Sequence, residues 1–373
     1  MIQKVIRGRD SIGKVSALME KVGIRKPLIV GSEKLTGRLT RQEALRNAPV
    51  FSGYHPNPDL ADAETGVEIY GREGCDGLIS LGGGSAMDTA KAIKAWLCAG
   101  SLENTRKNLL QERSIPHIAI PGTAGSGAEA TSNAVLYEDG RKLSLGHPGL
   151  LPDGVILDAG LLDSLPEYHK KSCALDALSQ GIESYWARSA TEDSRVNAFL
   201  AILGVLDNLK AYLAGDPHAA QEVMDAAYQS GKAIFQTRTT AAHAMSYQIT
   251  KLLGPAHGHA CLITLPVLWD RMCADPDQRE LMKELASRMR LGDPLMGSRL
   301  MRGMLIDLGM EAPPAPSEEI LRKLVDSVNP ERLGNHPQTL GSAEIEAVYR
   351  QAFRPVLDPE RQACLDIWRY YGA

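Results

Sequence analysis

The chain has only nine histidines in 373 residues, and three of them fall between positions 243 and 259. His243 lies in TTAAHAMSYQI, whose apolar spacing predicts a helix, and His257 and His259 follow in GPAHGHA after a Gly-Pro turn. Upstream, Asp176 and Gln180 stand four apart in LDALSQGIESY, so one helix face carries both. A carboxylate and two imidazoles make a mixed oxygen and nitrogen set that suits Fe(II) or Zn(II), with room for a substrate oxygen. Each residue also has a plainer reading. Asp176 could be a hydrogen-bonded polar group in a helical bundle, His243 a satisfied core histidine, and His259 an exposed neighbour or a supporting group. Spacing alone does not choose between them.

Two small-residue loops offer a second chemistry. Residues 82–93 read GGGSAMDTAKAI, directly after the strand-like GLISL and at the start of a helix. Gly82, Gly83 and Gly84 allow a diphosphate to approach the backbone, and the helix start at Ser85 supplies N–H donors and a positive dipole end. Asp88 and Lys91 fall on the first turns of that helix. The pattern is not GxGxxG, and a tight strand–helix turn without a ligand is the alternative. Residues 121–131, PGTAGSGAEAT, again follow a strand and bring the hydroxyls of Thr123, Ser126 and Thr131. Two such loops at the ends of parallel strands would share the sheet edge where open α/β sheets bind ligands, which favours a dinucleotide.

These groups need two kinds of scaffold. Short apolar runs predict strands at 26–31, 49–53, 77–81, 117–121 and 154–158, with helices between them at 59–72 and 85–98. That alternation predicts a Rossmann-like, mostly parallel sheet with helices on both sides. After Leu165-Pro166 helical periodicity dominates, at 172–187, 195–214, 219–235 and 280–289. The expected fold is therefore α/β plus all-α: a dinucleotide-binding domain over 1–160 and a helical metal- and substrate-binding domain over 161–373. A cleft between two such domains is a favoured ligand site.

Composition sets the outer bounds. The formal charge of -4 suggests neither a nucleic-acid surface nor a polybasic membrane anchor. Six widely spaced cysteines, none in a CxxC pair, read as buried thiols rather than as a metal cluster or a disulfide framework. No apolar leader opens the chain, and no uninterrupted apolar run approaches the length of a membrane span. A cytoplasmic protein is expected, with no membrane or nucleic-acid partner.

Taken in order, GGGSAMDTAK, PGTAGSGAEAT, PDGVILDAGLLDSLP, DALSQGIESY and the His243–His257 pair resemble the iron-containing alcohol dehydrogenases over nearly the whole chain. The resemblance implies a metal held between the two domains by one Asp and three His, of which Asp176, His243 and His257 match three. Gln180 stands where the fourth His belongs, implying weaker binding, a different metal preference, or a site completed by water. Tyr247 stands where many relatives carry a proton-relaying His; with His257 it is the catalytic candidate. The family's mechanism is direct hydride transfer, with the metal as Lewis acid on the substrate oxygen. Gly82–Ser85 would hold the pyrophosphate, Asp88, Thr123, Ser126 and Thr131 would contact the cofactor, and Lys142 would lie near its ribose–phosphate side. Relatives that prefer NAD often carry Asp where Ser32 stands here; Ser32 and nearby Lys34 favour NADPH over NADH, and Glu33 argues mildly the other way.

The segment before His243, Thr237-Arg238-Thr239-Thr240, suits a tetrahedral anion, because Arg forms bidentate bonds to phosphonate. It resembles the branch that reduces phosphonoacetaldehyde to 2-hydroxyethylphosphonate. Arg238, Thr239, Thr240 and Asn133 are the substrate-binding candidates; Arg238 as a surface or interdomain ion-pair residue is the alternative. A general alcohol or polyol dehydrogenase, a dehydroquinate synthase-like lyase and a metal-free binding protein are the competing functions. A homodimer is a possible assembly.

Overall fold

The computed structural model describes residues 3–107, 115–138 and 141–371. They divide into two compact units, Met1–Leu165 with Ala214–Gly231, and Pro166–Leu213 with Lys232–Ala373.

The first unit is built on eight strands: β1 (Lys4–Arg7), β2 (Pro27–Gly31), β3 (Val50–Phe51), β4 (Gly77–Gly82), β5 (His117–Pro121), β6 (Asn133–Glu138), β7 (Arg141–Gly146) and β8 (Gly154–Leu157). Six form a wholly parallel sheet in the order β1-β8-β5-β4-β2-β3, and β6 and β7 form a separate antiparallel pair. The central strands β2, β4, β5 and β8 are buried at every position, as expected of a sheet covered on both faces. The five strands expected from the sequence are all present, most with ends shifted by a residue or two. β1 and the β6–β7 pair are additions, and β3 is only two residues long.

Helices α1 (Leu60–Glu73) and α2 (Gly84–Ala99) pack beside β4 in this unit. The first starts where Asp59 accepts from the Ala61 N–H while Asp62 accepts from the Asp59 N–H, satisfying donors that helix geometry leaves free. The second is pinned by Lys91. Its buried ammonium donates to Ala128 O (2.6 Å), Thr131 Oγ1 (3.0 Å) and Asn133 O (2.9 Å), and burial lowers its pKa to about 8. One side chain thus fastens the loop after β5 to the helix after β4.

The second unit contains α3 (Glu167–Trp186), α4 (Glu192–Leu213), α6 (Ala241–Leu253) and α7 (His257–Ala274); α5 (Pro217–Thr237) begins in the first unit and ends in the second. Helix α4 is long and apolar enough to cross a membrane by length and composition, although charged and polar residues interrupt its apolar run. Nine of its residues are buried, and it packs on α3 where Gly181 lets the Ala198 carbonyl and Ile202 approach. A Cβ at Gly181 would lie 2.9 Å from Ile202 Cγ1 and 3.0 Å from Ala198 O, so the close approach needs glycine.

Candidate active site

Helix α3 presents Asp176 and Glu183 two turns apart, both buried. Glu183 serves the start of α6. Its Oε1 accepts from the backbone N–H groups of Thr240 (3.2 Å), Ala242 (2.7 Å) and His243 (3.4 Å), and from Thr240 Oγ1 (2.7 Å). These are first-turn amides with no partner inside their own helix, and the dipole end there favours an anion. The other oxygen, Oε2, takes His243 Nδ1 in a short contact. His243 is therefore held with Nε2 facing Asp176 Oδ1 at 3.2 Å.

Helix α7 brings His257 and Cys261, four residues apart on one face. His257 Nδ1 pairs with Ser246 Oγ at 3.2 Å, leaving Nε2 directed at Asp176 Oδ1 (3.9 Å) and Cys261 Sγ (3.9 Å). One donor atom from each of Asp176, His243, His257 and Cys261 lies within 4.8 Å of the others. Bonds of about 2.0–2.3 Å in a tetrahedral site place donor atoms roughly 3.3–3.8 Å apart, so the set fits a metal with small adjustments. Three of the four side chains are buried, whereas that of His257 is 40% exposed, so the cluster opens to solvent on that side.

The electrostatics fit a cation. Burial works against ionisation of Asp176, yet the His243 hydrogen bond and the charge on His257 hold its carboxyl below the usual range. Burial likewise opposes charge on His243, but Cys261 and Glu183 raise its pKa well above the ordinary value. The Cys261 thiol, which burial would push up, is drawn down to about 7 by His243 and His257. Asp176 and Cys261 lie beside both imidazoles and Glu183 beside His243, an acidic surround suited to a divalent cation.

Of the other residues singled out in the sequence, Gln180 is buried on α3 and hydrogen-bonds Asp176. The Tyr247 ring stacks on His257, with centroids 5.5 Å apart and planes at 20°. His259 stands outside the cluster, its Nδ1 paired with Tyr168 Oη (3.1 Å) and its Nε2 donating to Met310 O (2.6 Å). The Thr240 hydroxyl is fully buried, donating to Glu183 Oε1 and accepting from Trp186 Nε1. Thr239 is half-buried and Arg238 exposed, with Arg238 at φ +61° in the left-handed region. Cys261 was missed, because a lone cysteine reads as core; its four-residue spacing from His257 was the available signal.

In the sheet unit, the two small-residue loops leave neighbouring strands, with Gly82 paired to Pro121 and the Gly122 N–H bonded to Gly82 O at 2.8 Å. Gly82 has φ +153°, and a Cβ there would lie 2.9 Å from that of Ala86. Side chains at Gly83 and Gly84 would fill the space facing Thr123 and Ser126, at 3.4 and 3.6 Å. The bare backbone and the free first-turn amides at Ser85 make a cradle suited to a diphosphate. Asp88 is half-buried on α2, and Thr131 is engaged by Lys91. Ser32, at the end of β2, is exposed, as is Asn133 on β6. The side chain of Lys142 lies outside the described residues.

Glu183→Gln can keep an amide oxygen on the N–H groups of Thr240, Ala242 and His243, but it then turns an NH2 donor toward His243 Nδ1, which loses its acceptor and is freed to turn. The expected result is a loss of about 10–100-fold in metal affinity, read by competition with a chromophoric chelator.

Residues 3–159 match the iron-containing alcohol dehydrogenase family model, and residues 171–353 match that of the C-terminal region of the Fe-containing alcohol dehydrogenase family. The chain is 33% identical over 280 residues to a phosphonoacetaldehyde reductase of Streptomyces viridochromogenes, covering 69% of this chain and 70% of that protein. It is 30% identical over 272 residues to the NAD-dependent methanol dehydrogenase of Bacillus methanolicus, covering 69% of this chain and 71% of that one. The fold matches that of sulfoacetaldehyde reductase from Bifidobacterium kashiwanohense, with a TM-score of 0.87 and 24% identity over 94% of this chain and 97% of that one.

Proposed function

The chain belongs to the iron-containing alcohol dehydrogenase family, and from that premise we propose that it reduces a small anionic aldehyde, phosphonoacetaldehyde, to 2-hydroxyethylphosphonate. The coarser activity follows from the family: an oxidoreductase that interconverts alcohols and aldehydes with a nicotinamide cofactor. This displaces both the lyase and the metal-free binding protein as readings of the sequence.

The observation that carries the substrate is Arg238. Its guanidinium is exposed at the start of the segment leading into the His243 helix, and among the described residues no carboxylate pairs with it. Exposure is also what a plain surface residue would show, and that stays the alternative; we assign the planar cation to an anionic substrate tail on the strength of its place before the His243 helix. Likeness to a phosphonoacetaldehyde reductase supports the same choice, while likeness to a methanol dehydrogenase favours the general alcohol dehydrogenase as second reading.

Asp176, His243 and His257 would hold a divalent metal, which supplies Lewis acidity for the substrate carbonyl. Gly82–Ser85 would hold the pyrophosphate of NADPH, a cofactor that would supply the hydride. Glu183 fixes the His243 tautomer, and Tyr247, lying along His257, is the group we assign to handing a proton to the product oxygen. Exposed Ser32 and Lys34 at the end of β2 favour NADPH, as hydrogen-bond donors to a 2′-phosphate.

Arg238→Ala is expected to lower kcat/KM for phosphonoacetaldehyde about 10–100-fold, the worth of one charged hydrogen-bonding pair, while leaving acetaldehyde reduction unchanged. Equal values for variant and wild type on phosphonoacetaldehyde would sink the anion clamp and leave the general dehydrogenase.

A further inference from the structure

We infer that the Cys261 thiolate is a fourth metal donor, completing an Asp176–His243–His257–Cys261 set that prefers Zn(II) or Co(II) to iron; the inference rests on the metal-centre reading above. Its basis is position. Cys261 is fully buried on α7, one turn beyond His257, and its Sγ lies 3.9 Å from His257 Nε2. The donor atoms of all four residues fall within one 4.8 Å cluster.

Helix geometry explains how one element delivers two donors, since residues four apart lie above one another. Gln180 is drawn instead to the Asp176 carboxylate, where its amide can hold the acid in place. A neutral amide oxygen competes poorly for a divalent transition metal against a thiolate in the same space. Sulfur is a soft donor, and tetrahedral sites that mix thiolate with imidazole belong to zinc, whereas iron favours imidazole and carboxylate. On binding, the thiol proton leaves to solvent and the sulfur lone pair takes its place on the metal.

The test uses chelator-stripped full-length protein titrated with Co(II), followed by absorption spectroscopy. Wild type is expected to show visible ligand-field bands together with a near-ultraviolet thiolate-to-cobalt charge-transfer band. Cys261→Ser should keep the visible bands and lose the ultraviolet one. Its Zn(II) affinity should fall at least about 100-fold and its Fe(II) affinity less than about 10-fold. Asp176→Ala, titrated in parallel, should lose both sets of bands.

Ligand-field bands in wild type without the thiolate band would overturn the role of Cys261 while leaving the metal centre standing. Absence of cobalt binding in wild type would overturn both. Because the wild-type spectrum decides the point, an unstable Cys261→Ser protein does not rescue the inference.

Discussion

Asp176→Ala is expected to lower kcat at least about 1,000-fold and to abolish metal retention through gel filtration. The carboxylate is the one anionic oxygen in the cluster, facing His243 Nε2 at 3.2 Å and His257 Nε2 at 3.9 Å. Lewis-acid stabilisation of a developing alkoxide is worth several kcal/mol, and about 4 kcal/mol corresponds to three decades in rate. The helix itself should not suffer, because alanine has the best helix propensity and position 176 lies mid-helix in α3. The separating observation is thermal: the metal-free variant should melt close to metal-free wild type. Wild type alone should gain stability when Zn(II) is added. A variant that retains metal and full turnover would remove Asp176 from the centre.

Gly258→Ala should be the most damaging conservative change in the helical unit. A Cβ there would lie 2.0 Å from Ser172 O, 2.6 Å from Asp176 Cβ and 2.7 Å from Asp176 N. Two of these contacts are α3 backbone, which cannot swing aside as a side-chain tip could. The helices would have to separate at the point where His257 faces Asp176. Overpacking of this kind costs about 3 kcal/mol or more, and the separation would also draw Asp176 and His257 away from each other. Denaturant unfolding of Gly258→Ala against Gly292→Ala is the comparison, because a Cβ at Gly292 meets nothing within 4 Å. The expectation is a large loss for the first and a change within about 0.5 kcal/mol for the second. Equal stability of the two would show that the close packing of α7 on α3 is not needed.

The buried centre of the sheet was legible because KPLIVG, GLISL, HIAIP and GVILD are short apolar runs closed by turn residues, the pattern of strands covered on both faces. β1 escaped because KVIR is charged at both ends and only half-buried, and its pairing with β8 joins residues about 150 positions apart. β6 and β7 escaped because NAVLYE and RKLSLG mix polar and apolar residues without a strong run. Periodicity identified α5 as a helix, but it carries no information on which unit each end joins.

The candidate site was legible to the same uneven degree. Scarce histidines and the Asp176–Gln180 spacing pointed to one region, and the structure brings Asp176, His243 and His257 together there. Glu183 was invisible, since a carboxylate seven residues after Asp176 declares nothing until the start of α6 is placed against it. Cys261 was discounted with the other cysteines for want of a CxxC partner, although its partner in space is a histidine one turn earlier.

The measurement that bears most directly on the account is nicotinamide oxidation by chelator-stripped protein, before and after one equivalent of Zn(II) or Fe(II), over small aldehydes with and without an anionic tail. The account predicts no turnover without metal and restored turnover with it, faster with NADPH and with phosphonoacetaldehyde. Equal turnover by the stripped protein, or none with either metal and either nicotinamide, would contradict it.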